Sequence, residues 1–240
     1  TVVRLPIGND DRELIEEELR GFPSEFLLFA RHMEQITLRW AGNERRITAK
    51  EQGGLVTLVD GDDRTRWRVF DTTGGLPDEA KADAPTGSGG DRPVPVLWAV
   101  PVDGSPKGRV WTFFPTDVEI SLSGILNAPW KTTEDRTSVS SGPYNNELLK
   151  MASRLVADSL PTLVDDVDQP GDIVDILPEE DEFRRHGWLE KTLAESIYEE
   201  CSRSEAFCDS NGDRRLAEDL KLSGLEPHPK TGELWAEAPT

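Results

Sequence analysis

Cysteine is nearly absent from this 240-residue chain: only Cys201 and Cys208 occur, seven apart and away from any histidine pair. That leaves no disulfide framework and no zinc site of ordinary spacing, and two reduced thiols, as in a cytosolic protein, are the expectation. Histidine is equally scarce. His32, His186 and His228 are more than forty residues apart and stand near no Ser or Cys nucleophile motif, so no triad can be built; His32, at the end of a helix, reads as structural. No apolar run approaches the roughly 20 residues needed to cross a bilayer. Cations are outnumbered, with 27 Lys and Arg facing 46 Asp and Glu for a net charge of −19. Such an excess repels phosphate backbones, and no Lys/Arg run interleaved with aromatics offsets it, so neither a membrane nor direct nucleic-acid binding is expected. The chain opens on Thr1 and the strand-like TVVRLPI with no initiator Met or signal peptide, which suggests a piece excised from a longer protein.

What is present suffices for a core. The 36% hydrophobic content includes seven Trp and eight Phe, and a wholly disordered chain is not expected. Residues 1–150 hold 18 basic and 24 acidic side chains, residues 151–240 hold 9 and 22, so two regions are expected. After the terminal strand, Asn9 or Asp10 caps a helix over DDRELIEEELRGF, whose carboxylates crowd the favourable N-terminal turns. Ser24 opens a second helix, EFLLFARHM. From Ile36 to Phe70 the period becomes two, and ITLRW, RRITAK, GLVTLV and TRWRVF, parted by Gly-rich or Asp-Gly turns, predict an antiparallel meander. Residues 71–92 are rich in Gly, Pro, Ser and charge and predict an exposed, mobile loop. The nearly continuous apolar strands VPVLWAV and GRVWTFF predict central positions.

Pro143 sits where a first helical residue is favoured, and PYNNELLKMASRLVADSLPTLV places Leu148, Met151, Ala152, Leu155, Ser159 and Leu160 at helical spacing, with Pro161 bending or ending the helix. Residues 165–182 predict an acidic linker with a short strand at Ile173 to Leu177. A final module holds the helix WLEKTLAESIYEECSR and a hairpin or irregular loop around Asp209-Ser210-Asn211-Gly212.

The most unusual stretch is Asn127-Ala128-Pro129-Trp130-Lys131-Thr132-Thr133-Glu134-Asp135-Arg136, a polar loop leaving an apolar strand with Lys131 and Arg136 five residues apart. Such a loop can reach a phosphate. The plainer alternative is that Lys131, Glu134, Asp135 and Arg136 form solvated local ion pairs worth little energetically. Asp209, Asn211 and Asp213 alternate as in calcium loops, but Arg214 stands where Gly is needed and Leu220 where the bidentate Glu is needed, which excludes an EF-hand. Gly87-Ser88-Gly89-Gly90 follows no strand and precedes no Lys-Ser/Thr, so it reads as flexible linker rather than a phosphate loop.

The string FFPTDVEISLSGILNAPWKTTEDR, with TVVRLPI and FPSEFLLFARHMEQITL, resembles the region that follows the ATP-binding domain in bacterial sacsin-like members of the GHKL ATPases, the superfamily of gyrase, the heat-shock-protein-90 chaperones, histidine kinases and MutL. The resemblance covers about residues 1–178, and the order of segments is more specific than any single motif. It implies that Arg4-Leu5-Pro6 closes a preceding ATP-binding domain, and that a middle domain like the second domain of ribosomal protein S five follows. It also implies that a cation of this domain, Arg136 or Lys131, contacts the γ-phosphate of ATP bound in the preceding domain, with Asn127 among the nucleotide-contacting residues. An added cation there is arginine-finger chemistry, and a guanidinium's bidentate grip gives Arg136 a slight preference. The chain lacks a D-x-G-x-G motif and the Asn-containing helix before it, so the isolated piece is expected to be inactive and to need no cofactor, whereas a full-length parent would use ATP and magnesium.

The expectation is therefore an α+β chain: a mainly antiparallel sheet with helices on one face, plus a small C-terminal α/β module. Residues 1–164 form the transducer-like domain, with 1–7 the end strand of the preceding one; 165–182 form the linker and 183–240 the last module. The first function expected is that of a cytoplasmic, chaperone-type transducer with the preceding domain, a protein client or a second copy as partner. The alternative is a catalytically silent scaffold or interaction module in which the loop braces the fold. An independent hydrolase has no supporting constellation.

Overall fold

The computed structural model describes residues 8, 11–85, 92–104, 107–135, 137–164, 173, 175–178, 187–205, 207–209 and 213–220. The chain divides into two compact units, Thr1–Arg68 and Val69–Thr240. The terminal strand expected over TVVRLPI and the Gly87–Gly90 segment lie outside the described residues.

In the first unit, helix α1 spans Arg12–Arg20 and α2 only Phe26–Phe29. Asp11 takes the N-cap place of α1 but makes no side-chain cap bond; Asn9 and Asp10 are not described. The long second helix predicted over EFLLFARHM stops at Ala30 (φ −90°, ψ 58°), because Leu27 and Leu28 already bury the apolar face and Arg31 to Glu34 turn out to solvent. The meander forms as predicted from strands β1 (Gln35–Trp40), β2 (Asn43–Gln52), β3 (Leu55–Asp60) and the start of β4 (Asp63–Gly74). Neighbours are antiparallel, with Ile36 opposite Ile47, Ala49 opposite Leu58 and Val56 opposite Trp67. Its two-residue turns need a left-handed backbone, which Gly53-Gly54 supplies at φ 60° and 75° and Ala41-Gly42 at 44° and 82°. One face carries Ile47, Leu58 and Trp67, all buried. On that same face Arg45 donates to Asp60 (3.0 Å) and to the Arg20 carbonyl at the end of α1 (2.7 Å), fastening helix to sheet.

The second unit contains the end of β4, helix α3 (Asp78–Ala82), strands β5 (Val94–Pro101), β6 (Gly108–Thr112), β7 (Phe114–Ile120) and β8 (Ile125–Asn127), and helix α4 (Pro143–Val164). Helix α5 (Trp188–Cys201) and a small ladder of β9 (Phe207–Cys208) with β10 (Arg214–Arg215) follow. The strand order β5-β8-β6-β7 puts the three-residue β8 between longer strands, antiparallel to β5 and parallel to β6, with Leu126 level with both Trp98 and Val110. Insertion at that point requires glycine: a Cβ on Gly124 (φ 90°) would lie 2.2 Å from the Ala99 carbonyl oxygen. The architecture is α+β with mainly antiparallel strands.

Alternate residues of β5, Val94, Val96, Trp98 and Val100, meet Leu148, Ala152, Leu155, Val156 and Leu160 of α4 in one apolar core. Trp98 Nε1 donates to the Ser123 carbonyl (2.9 Å), so the largest core side chain also fixes the turn before β8. Helix α4 has the bounds its Pro143 start and apolar spacing predict, and it runs on past Pro161 to Val164; Arg214 donates to the Pro161 carbonyl in the last turn (2.9 Å).

Three expectations need correction. Residues 71–85 are not a mobile loop: β4 continues to Gly74, α3 follows, and Leu76 and Ala80 are buried in the core. Ile173 to Leu177 is not a strand; its described residues form a tight helical turn that sinks Ile173 and Leu177 into the core, and Ser123 N donates to the Ile176 carbonyl (2.9 Å). The last helix does not stand apart as a module either. Leu189, Leu193, Ile197 and Cys201 of α5 share the core with α4, and buried Glu190 accepts Ser121 N (3.1 Å). Amphipathic helices bury their apolar stripe where they can, and α4, apolar on both sides, offers a second face.

Candidate functional site

The loop that leaves β8 is held by its root. Asn145, in the first turn of α4 and buried, accepts Lys131 N through Oδ1 (3.0 Å). Its Nδ2 donates to the Lys131 carbonyl (2.7 Å) and the Ser140 carbonyl (2.6 Å). The neighbouring Tyr144 donates its hydroxyl to the Pro129 carbonyl (3.0 Å). Thr132 and Val139 form an isolated antiparallel bridge, and Ser140 N donates to the Lys131 carbonyl (2.9 Å). Residues 131–140 are thus a closed excursion whose two ends are fixed to the start of one helix.

Lys131 points its side chain at Asp83, the residue after α3. Nζ donates to the Asp83 backbone carbonyl (2.9 Å) and to its carboxylate, while the other carboxylate oxygen accepts Tyr144 N at the start of α4 (3.2 Å). The Lys131 ammonium first, and the Tyr144 N–H second, hold the Asp83 carboxyl below its ordinary value. A carboxylate on the first turn of a 22-residue helix also meets the positive end of its macrodipole. Gly142 leaves the room, since a Cβ there would lie 2.4 Å from Asp83 Oδ2. Lys131 nevertheless keeps 36% of its side chain exposed. The local ion pairs expected within the loop are therefore not what Lys131 makes; its partner lies 48 residues upstream.

At the tip, Thr133, Glu134 and Asp135 are exposed. Asp135 folds back locally, accepting Thr133 Oγ1 (2.6 Å) and Thr137 N (3.1 Å), which lower its pKa in that order. Arg136 and Thr1 lie outside the described residues.

Asn127 does not join the phosphate-facing group expected of it. It is fully buried in β8, and its Oδ1 accepts Phe113 N (2.8 Å). Phe113 is left-handed (φ 65°), an uncommon state for an aromatic residue, so the amide acts as a peg for the tight β6–β7 corner rather than as a ligand contact. Trp130 is buried in the core and anchors the stem of the loop.

Sequence reasoning missed Asp83, Tyr144 and Asn145. The available signal was the Asn pair behind Pro143, polar residues in the first turn of an otherwise apolar helix. Elsewhere, Asp209 accepts Asp213 N (3.0 Å) and pairs with Arg215 (3.2 Å), a turn-forming task that uses up the would-be calcium carboxylate. Burial, with Glu200 beside it, pushes the Cys201 thiol up to about 12, so it is no nucleophile at neutral pH. His32 is exposed; His186 and His228 are not described. Among the described residues no group of three or more His, Cys, Asp and Glu is placed to hold a metal ion, and no helix is long and apolar enough to cross a membrane.

Comparison with known proteins returns no matching family model, no matching curated protein and no matching solved structure.

Proposed function

We propose that the chain is the middle, transducer segment of a sacsin-like, chaperone-type GHKL ATPase, and that residues 131–140 present a cation to the γ-phosphate of ATP held by a preceding domain. The supporting observation is the contrast within Lys131: its backbone is gripped on both sides by buried Asn145, while its side chain remains one-third exposed on an exchangeable carboxylate. A fixed backbone costs no reorganisation when charge develops on the phosphate, and that preorganisation gives a single cation its catalytic weight. Lys131 would leave Asp83 for the more highly charged phosphate, and the loosened Asp83 would relax its hold on the start of α4. Nucleotide state would thereby reach the longest helix of the unit.

Among the described residues of the loop, Lys131 suits a single phosphate contact. ATP with magnesium would be held by the preceding domain, while Lys131 or Arg136 supplies the charge from this chain. The reading carries with it a cytoplasmic location and a protein client or second copy as partner. A second reading, a silent scaffold in which the loop only braces the fold, is favoured by the same Asp83 pair if it never opens.

Single-turnover ATP hydrolysis in the full-length parent separates the two. Replacing the contacting residue, Lys131→Ala or Arg136→Ala, should cut turnover about a hundredfold or more while ATP affinity falls less. Wild-type turnover in both variants would leave the scaffold.

A further inference from the structure

We infer that the open face of the meander is a docking surface for the phosphate backbone of a nucleic-acid duplex, a reading independent of the ATPase proposal. Strand pairing fixes which side chains share that face. Thr37 lies opposite Arg46, Arg39 opposite Glu44, Thr48 opposite Val59, and Lys50 opposite Thr57. Val59 in turn lies opposite Arg64, Thr57 opposite Arg66 and Leu55 opposite Arg68. With side chains alternating along each strand, Arg39, Arg46, Lys50, Arg64, Arg66 and Arg68 all fall on the side away from buried Ile47, Leu58 and Trp67. Glu44 is the one carboxylate among them, and it is shared by Arg39 (2.7 Å) and Arg46 (3.1 Å). Six cationic positions against one acidic position stand in sharp contrast to a chain of net charge −19.

The face is open. Arg39, Arg46, Lys50, Arg64 and Arg66 are exposed and Arg68 is half-buried, donating to the Gly53 carbonyl (2.9 Å). Among the described residues Lys50 and Arg64 make no ion pair. At a strand spacing of about 4.8 Å and roughly 6.7 Å between same-face neighbours, the six span about 15 Å by 27 Å. Between the cations stand Gln35, Thr37, Thr48, Gln52 and Thr57, side chains that donate hydrogen bonds to phosphate oxygens without reading sequence.

Charge complementarity selects the occupant. A protein partner needs an apolar or aromatic centre from which charge is depleted, and this face offers only Leu55 and Val59. A single strand is gripped by stacking on aromatics, and the meander's two Trp residues, Trp40 and Trp67, lie on the opposite face. A duplex needs neither; it presents about one negative charge per 1.7 Å of axis to whatever cations lie against it. The net charge of the chain opposes the approach, but at a Debye length of about 8 Å in physiological salt the local patch outweighs distant carboxylates. Asp62 and Asp63 at the β3–β4 turn limit it on one side.

The test is fluorescence anisotropy of a labelled mixed-sequence 20-base-pair DNA duplex titrated with the chain at 50 mM and 200 mM salt. Binding should weaken with salt on a log–log slope of about −3 to −4, one phosphate contributing roughly −0.9. The variant Arg46→Glu/Lys50→Glu/Arg64→Glu should bind at least thirtyfold more weakly and lose most of that slope. A control of equal charge change at exposed positions of α4, of α5 and of the turn after α5, Arg154→Glu/Lys191→Glu/Arg203→Glu, should change affinity less than threefold. Circular dichroism checks that the variants fold, and Lys50→Gln/Arg64→Gln, which should lose about fivefold, serves if the triple variant does not. No duplex binding at 50 mM salt, equal loss in the control, tighter binding of the matching single strand, or displacement by an equally charged poly-glutamate peptide would each overturn the inference.

Discussion

Six of the eight positions of β5 are buried, against one of the ten in β2. Both are regular antiparallel strands, yet they spend their polar atoms differently. Around β5 several polar groups are tied into the framework: Trp98 Nε1 donates to the Ser123 carbonyl, Asn127 Oδ1 accepts Phe113 N, and Thr116 Oγ1 donates to the Val110 carbonyl (2.6 Å), while Asn127 Nδ2 is buried without a hydrogen-bond partner among the described residues. In the meander one face is closed by apolar residues and the other is left with guanidinium and ammonium groups facing water. Buried strands hold the scaffold; solvent-reaching charges sit on the open face and on the loop that leaves β8.

The largest effect is expected from emptying the buried side. Trp98 is fully buried and hydrogen-bonded, so Trp98→Ala should destabilise the chain by about 3–5 kcal/mol, read as a lower urea midpoint. The loss combines a cavity between β5 and α4 with the removal of the Trp98 Nε1 hydrogen bond to the Ser123 carbonyl. A loss below about 1 kcal/mol would mean that β5 is not the centre of the core.

A smaller effect is expected at the loop. The Asp83 carboxyl lies below its ordinary value because of Lys131 and then Tyr144 N–H, so its charged form is favoured in the folded chain. The stability it contributes is complete above the unfolded-chain pKa of about 4 and disappears as pH falls through the lower folded value. Glu44 and Asp135 are lowered too and act on the same acid limb. The urea midpoint should therefore drop between pH 6 and pH 3 in the wild type, and drop less in Asp83→Asn. Equal drops would show that Lys131 and Asp83 do not pair in solution.

What the sequence disclosed follows the same division. Helix α4 was readable end to end because Pro143 and a long apolar stripe are local signals, and the meander because period-two strands are punctuated by glycine turns. Helix α3 was not: DTTGGLPDEAKADAP buries Leu76 and Ala80 in the core with Ala84 packed against it, and the surrounding polar residues hide an order that comes from docking on α4. The alternating IVDIL likewise suggested a strand where tertiary packing wound a tight turn. Lys131 stood out as a cation in a polar loop, but its partner Asp83 could be found only once packing brought α3 to the start of α4. The basic face was invisible for another reason. Arg46, Lys50 and Arg64 are scattered among acidic neighbours in the chain, and only register collects them, so a count of net charge averages away a surface that β-pairing concentrates.

The smallest effect is expected on the open face of the meander. Lys50 is exposed, makes no ion pair among the described residues, and faces Thr57 across the strand pair. Lys50→Ala removes one solvated charge and no packing, so the urea midpoint should correspond to a change within about 0.5 kcal/mol. If the face meets a phosphate backbone, the same substitution should flatten the log–log salt slope of duplex binding by nearly one unit. The two readouts must separate: a large stability loss would mean that Lys50 braces the sheet, and an unchanged slope would remove it from the docking surface. A residue that matters to binding and not to folding is what an open, charged sheet face predicts, and the reverse behaviour of Trp98 is what a buried strand predicts.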